Sequence, residues 1–163
     1  MINPNGQPDH VCRKAAPKRR LLVIDDHPVV CAGLASLING QPDLLCCGQA
    51  ANGAAAEQAL AALQPDLVLL DLHLGNENGL ALTEAWCRRF TGLRVLILSM
   101  ADERRHAQPA LRAGAMGYVM KEMACQELLA AIRTVLAGQV YLSPGLRQPP
   151  RWGCDSKHWS GGS

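Results

Sequence analysis

Short apolar runs alternate with longer Ala/Leu-rich or amphipathic segments five times along the chain. The runs at 20–25, 44–48, 67–71, 94–99 and 117–120 are short and nearly all apolar, the pattern of strands buried on both faces. The segments at 28–39, 53–63, 79–90, 103–113 and 125–137 have helical length and composition. Turn formers mark the helix exits: Asn39-Gly40, Gln64-Pro65-Asp66, Thr91-Gly92 and Gly114, where a left-handed residue or a proline stop is expected. Five such alternations predict an α/β fold, a doubly wound five-stranded parallel sheet of the flavodoxin-like (βα)5 type. Right-handed crossovers with the first strand inside give the order 2-1-3-4-5, with a ligand crevice between strands one and three.

The apolar runs end on polar residues. Asp25-Asp26 follows Leu21-Leu22-Val23-Ile24, Asp71 follows Leu67-Val68-Leu69-Leu70, Ser99 follows Val95-Leu96-Ile97-Leu98, and Lys121 follows Tyr118-Val119-Met120. In the predicted topology these three acids, one hydroxyl and one ammonium stand together at the carboxyl edge of the sheet. Converging carboxylates repel one another, so such a site is built for a divalent cation, and all-oxygen ligands favour Mg2+ or Mn2+. A carboxylate can also accept a phosphoryl group when nearby positive charge offsets the repulsion. Taken singly, each residue has a plainer reading: Asp26 before His27-Pro28 is a candidate helix cap, Lys121 a solvated lysine, and Tyr118 simple packing. None of His10, His27, His106 and His158 shows metal-ligand spacing.

Composition narrows the class. The 163 residues are 48% apolar and only 18% charged, against roughly 25% charged in an average domain, which agrees with a sheet covered on both faces. The net charge of +2 implies no nucleic-acid partner, and the basic residues Arg13, Lys14, Lys18, Arg19 and Arg20 read as a solvated lead-in. No run approaches a membrane span and no apolar signal segment opens the chain, so a cytoplasmic protein is expected. Seven cysteines with no C-x-x-C pair argue against a disulfide framework or a zinc knuckle. Of these, Cys46-Cys47 reads as strand packing, while Cys12 and Cys154 lie in the polar ends. The expected organisation is a flexible lead at 1–18, one domain at 19–138, and a linker with a disordered tail at 139–163, where Trp152 and Trp159 lie.

These strand-end residues, with DLHLGNENG around Asp71 and Tyr118 three residues before Lys121, resemble the receiver domain of a two-component response regulator. The segments IDDHPVV, YVMKEM and GQVYLSP resemble the LuxR/FixJ (NarL) subtype. The resemblance implies Asp71 as phosphoacceptor, with Ser99 and Lys121 as phosphoryl ligands. It implies a Mg2+ site of Asp25, Asp26, the Asp71 carboxylate and the His73 carbonyl oxygen, and Ser99 and Tyr118 as a switch pair. It also implies a sensor histidine kinase as partner, a possible homodimer, and transcription control by a full-length form. In such domains the hydroxyl moves toward the phosphate, the ring turns inward, and a protein-contact face is reshaped. The chain would be a signalling module that catalyses its own phosphoryl transfer and slow dephosphorylation, not an enzyme.

The sequence departs from that pattern in four places. Gly75 replaces a common proline, which predicts a looser loop. Glu122 follows Lys121 where many receivers have a cis proline. Met100 follows Ser99 in place of a small residue, bulk placed to obstruct the inward path of Tyr118. After Pro144 nothing resembles DNA-reading helices, so no sequence-specific DNA binding is expected of this chain. An alternative follows from these departures: a receiver-shaped interaction or dimerisation module that phosphorylation does not control. A phosphohydrolase reading is weaker, because His73 stands where a second acid would be needed.

Overall fold

A computed structural model describes residues 16–100, 102–123 and 125–143. The expected features of the first 15 residues and of 144–163, including Cys12, Cys154, Trp152 and Trp159, lie outside the described residues. Five strands form one parallel sheet: β1 (Arg19–Ile24), β2 (Leu44–Ala50), β3 (Leu67–Asp71), β6 (Val95–Ser99) and β7 (Gly117–Met120), in the order β2-β1-β3-β6-β7. With the short β4 (His73–Leu74) and β5 (Glu77–Asn78) set apart as a separate antiparallel ribbon, this is the expected order 2-1-3-4-5. Five helices connect the strands: α1 (Pro28–Asn39), α2 (Gly53–Leu63), α3 (Gly79–Arg89), α4 (Glu103–Arg112) and α5 (Cys125–Leu136).

The central strands alternate side chains between two cores. Leu21, Val23, Leu67, Leu69, Leu96, Leu98 and Val119 pack against Ile38 of α1 and Leu129, Ile132 and Val135 of α5. Leu22, Ile24, Val68, Leu70, Val95, Ile97 and Tyr118 pack against Leu60 of α2, Trp86 of α3, and Ala107 and Ala110 of α4. Burial on both faces explains why these strands carry so few polar residues before their ends. Trp86 is fully buried, and its indole N–H donates to Glu57 Oε1 at 3.2 Å, which satisfies the one polar atom of the ring. Packing continues past α5, where Tyr141 is buried and bridges to Gly117 beside β7.

The β4–β5 ribbon corrects the expectation of a loose acceptor loop. Leu74 pairs with Glu77 around a two-residue turn of Gly75 and Asn76, with Gly75 at φ +60°. A positive φ at the first turn residue is the hairpin geometry glycine adopts at little cost, and proline cannot adopt it. Glu77 then fastens the ribbon to α2, its Oε2 accepting the Gly53 N–H at 2.7 Å at the positive end of that helix. Helix exits also differ in one place from expectation. Gln64, Gly92 and Gly114 have positive φ, but Gly40 remains right-handed at φ −70°, its N–H bonded back to the Ser36 carbonyl.

The first residue of α3 lies against the backbone leaving β3. The Gly79 N–H donates to the Leu72 carbonyl at 2.9 Å, and an added Cβ would sit 2.7 Å from the Asp71 carbonyl oxygen. Backbone on the other side cannot swing away as a side chain would. The variant Gly79→Ala should therefore unfold at lower urea, with a loss of about 2 kcal/mol from forced displacement of α3. A wild-type midpoint would show that this approach is not tight.

Candidate functional site

Register brings the first acids together. Ile24 of β1 pairs with Leu70 of β3, so the next residues on each strand, Asp25 and Asp71, leave the sheet side by side. Both carboxylates are almost wholly buried, at 1% and 5% side-chain exposure. Lys121, just past β7, reaches across the strand ends and joins them: its Nζ lies 2.5 Å from Asp25 Oδ2 and 2.9 Å from Asp71 Oδ2. The other oxygen of each acid takes a backbone donor two residues on, His27 N–H to Asp25 Oδ1 at 2.9 Å and His73 N–H to Asp71 Oδ1 at 3.1 Å.

Asp26 does not cap α1. The cap position is His27, which offers no side-chain capping bond, with Pro28 opening the helix. The Asp26 carboxylate instead faces the pocket, its Oδ1 3.0 Å from His27 Nδ1. That ring nitrogen is also 3.0 Å from Asp25 Oδ1, with which it is hydrogen-bonded. One N–H serves one acceptor well, and Asp26 Oδ1 is left buried with no hydrogen-bond partner. Ligand atoms of Asp25, Asp26, His27 and Asp71 all lie within 4.8 Å of one another.

Charge follows from this geometry. Burial acts against the ionised form of Asp25, but the Lys121 ammonium and the two His27 donors outweigh it and hold the carboxyl below its usual range. Burial likewise opposes the charge on Lys121, and its bonds to Asp25 and Asp71 outweigh that, pushing its pKa up. A lowered carboxyl gives stability that is present above the unfolded pKa near 3.9 and lost as pH falls through the folded value. A raised lysine gives stability that is full below about 10.4 and lost as pH rises through its folded value. Thermal melts should accordingly show the contribution of this pair constant from about pH 5 to 10, declining below about pH 4 and in strong alkali. A pair contribution unchanged down to pH 2 would contradict the linkage.

Three carboxylates gather at a site with one ammonium, which pairs with two of them, so negative charge remains in excess. The buried, unpartnered Asp26 oxygen and this excess charge fit a divalent cation held by oxygen ligands. Asp25, Asp26 and Asp71, named from sequence for that role, are brought together. His73 lies beside them in the ribbon, with its side chain exposed and outside the ligand group.

Ser99 and Tyr118 lie at the adjacent strands. Ser99 is fully buried at the end of β6, and its carbonyl accepts the Lys121 N–H at 2.8 Å. Tyr118 is fully buried on the α4 side of the sheet. Met100, next to Ser99, is 62% exposed. The Lys121–Glu122 peptide is trans.

Two neighbours went unnoticed in the sequence. His27 contributes its ring to the acid pair, and the only signal was adjacency to Asp25-Asp26. Cys31, one turn into α1, donates its buried thiol to the Asp25 carbonyl at 3.2 Å. Burial pushes that thiol pKa up, as does the nearby carboxylate, which keeps it protonated and unreactive. The five described cysteines are all free. Among the described residues, no helix is long and apolar enough to cross a membrane.

The chain is similar to known proteins. The family model of the response regulator receiver domain matches residues 21–133. The chain is 35% identical over 126 residues to the nitrate/nitrite response regulator protein NarL of Escherichia coli K12, covering 77% of this chain. It is similarly 35% identical over 126 residues to the oxygen regulatory protein NreC of Staphylococcus carnosus. The match spans 58% of the length of each of these relatives. A crystal structure of a LuxR-family two-component response regulator from Aurantimonas sp. SI85-9A1 superposes with a TM-score of 0.76 at 33% identity, over 80% of this chain and 93% of that one. With the sheet order, the strand-end acids and the bridging lysine in place, the chain belongs to the response regulator receiver domain family, among receivers of the NarL/LuxR type.

Proposed function

We propose that this chain acts in the cytoplasm as a phosphoacceptor in two-component signalling, taking a phosphoryl group from a sensor histidine kinase onto Asp71. The single observation that supports this best is the Lys121 bridge, which holds Asp25 and Asp71 at one point while leaving Asp26 Oδ1 unsatisfied. In the transfer, an Asp71 carboxylate oxygen bonds to phosphorus as the P–N bond to the kinase imidazole breaks, leaving an acyl phosphate on Asp71. Asp25, Asp26, Asp71 and the His73 carbonyl oxygen would hold Mg2+ or Mn2+. When bound, the cation supplies positive charge that offsets repulsion between the carboxylates and the incoming phosphoryl oxygens.

Lys121 provides the fixed charge on the other side, and the Ser99 hydroxyl a hydrogen bond to a phosphoryl oxygen. Ser99 and Tyr118 then couple the modified site to the face made by α4, β7 and α5, which contacts a second copy or an output partner. Slow hydrolysis of the acyl phosphate resets the module.

Peptide mapping tests the site. After reaction with acetyl phosphate and Mg2+, borohydride reduction should convert the modified residue to homoserine at Asp71. Modification mapped to any other residue would sink the assignment.

A second reading, a receiver-shaped interaction module without phosphorylation control, is favoured by one observation. Tyr118 already occupies the inward, fully buried position. Unchanged oligomeric state and unchanged Tyr118 environment after full phosphorylation would establish it.

A further inference from the structure

The His27 imidazole stands between two of the acids. Its Nδ1 is 3.0 Å from Asp25 Oδ1 and 3.0 Å from Asp26 Oδ1. Neighbouring ligands about 2.1 Å from an octahedral ion stand about 3.0 Å apart, so these separations are those of adjacent ligands around one cation. Supporting Asp25 does not require the ring, because the His27 backbone N–H already donates to the same oxygen at 2.9 Å. Asp26 Oδ1, buried and without a hydrogen-bond partner, faces the same nitrogen. The Nδ1–H that donates to Asp25 Oδ1 gives way to a bound cation by tautomerisation, since the ring is 64% exposed and can carry its proton on Nε2 instead.

We propose that His27 supplies a nitrogen ligand to the acidic pocket and makes it prefer a first-row transition-metal dication, such as Mn2+, over Mg2+. Imidazole nitrogen raises affinity for first-row transition metals, least strongly for Mn2+ at the foot of that order, while Mg2+ gains little from it and keeps oxygen ligands and water. This inference rests on reading the pocket as the cation site of a receiver, and it assigns that site a metal preference set by one residue.

The test uses the full, untagged chain with Mn2+ and Mg2+ as probes. Dissociation constants come from the loss of the free Mn2+ resonance and from competition by Mg2+, and electron spin echo modulation reports nitrogen bound to Mn2+. Wild type should show imidazole nitrogen coupling. His27→Ala should lose that coupling and about tenfold in Mn2+ affinity, while its Mg2+ affinity stays within about twofold of wild type.

His27→Asn retains a side-chain donor for Asp25 but no imidazole, and should behave like the alanine variant. Its recovery of Mn2+ affinity would show that His27 only positions Asp25 and would overturn the proposal. Absence of nitrogen coupling in wild type, or equal loss of Mn2+ and Mg2+ binding in His27→Ala, would overturn it too. Phosphorylation of wild type in Mg2+ without nitrogen coupling defeats this inference alone. Nitrogen-coupled Mn2+ with no phosphorylation in either metal defeats the receiver chemistry and leaves the metal preference standing.

Discussion

Asp71→Asn should take up no phosphoryl group from acetyl phosphate under conditions where wild type does, a complete loss. An amide oxygen at that position is too weak a nucleophile to form the acyl phosphate, and no other carboxylate takes its place. Asp25 is held at both oxygens by Lys121 and His27, and Asp26 lies beyond it next to the His27 ring. The fold should survive. An asparagine carbonyl can still accept the His73 N–H, and the lost attraction to Lys121 is countered by relief of repulsion among the acids. A urea melt within about 1 kcal/mol of wild type is expected. A phosphoryl adduct on the asparagine variant, labile to hydroxylamine, would contradict the assignment.

Lys121→Met should have the largest effect on stability. The ammonium is only 12% exposed and bridges two carboxylates that are nearly inaccessible to water. Removing it leaves both buried charges facing each other uncompensated, a loss of about 3 kcal/mol. The defect is electrostatic, so millimolar Mg2+ should restore a substantial part of it in the variant and do less for wild type. Urea titrations of both proteins with and without Mg2+ provide the measurement. A variant as stable as wild type without added cation would show that water or rearrangement already neutralises the pair.

Both predictions concern residues that could be picked out before any coordinates, for a physical reason. Strands buried on two faces tolerate little but apolar side chains, so the first acid after Ile24 or Leu70 marks the point where the chain leaves the sheet. Sheet order then brings those points together, and the register of Ile24 with Leu70 bears this out.

Features set by short-range geometry or by side-chain direction were not legible. The β4–β5 ribbon consists of two-residue strands, too short for any period, and Gly75 read as looseness where it forms a tight turn. Asp26 looked like a helix cap because Pro28 follows so closely, yet α1 begins uncapped and the carboxylate serves the pocket. Exposure is equally invisible in a sequence: Met100 is exposed while Tyr118 on the adjacent strand β7 is buried. His27 was passed over because ligand spacing was sought among histidines, whereas its partners are the two acids immediately before it.

The most direct test of phosphoacceptor function is the intact mass of the wild-type chain after incubation with acetyl phosphate, with and without Mg2+. A gain of one phosphoryl group that requires the cation is the predicted result. An unchanged mass under every condition would contradict the account and leave a receiver fold that works through its surfaces alone.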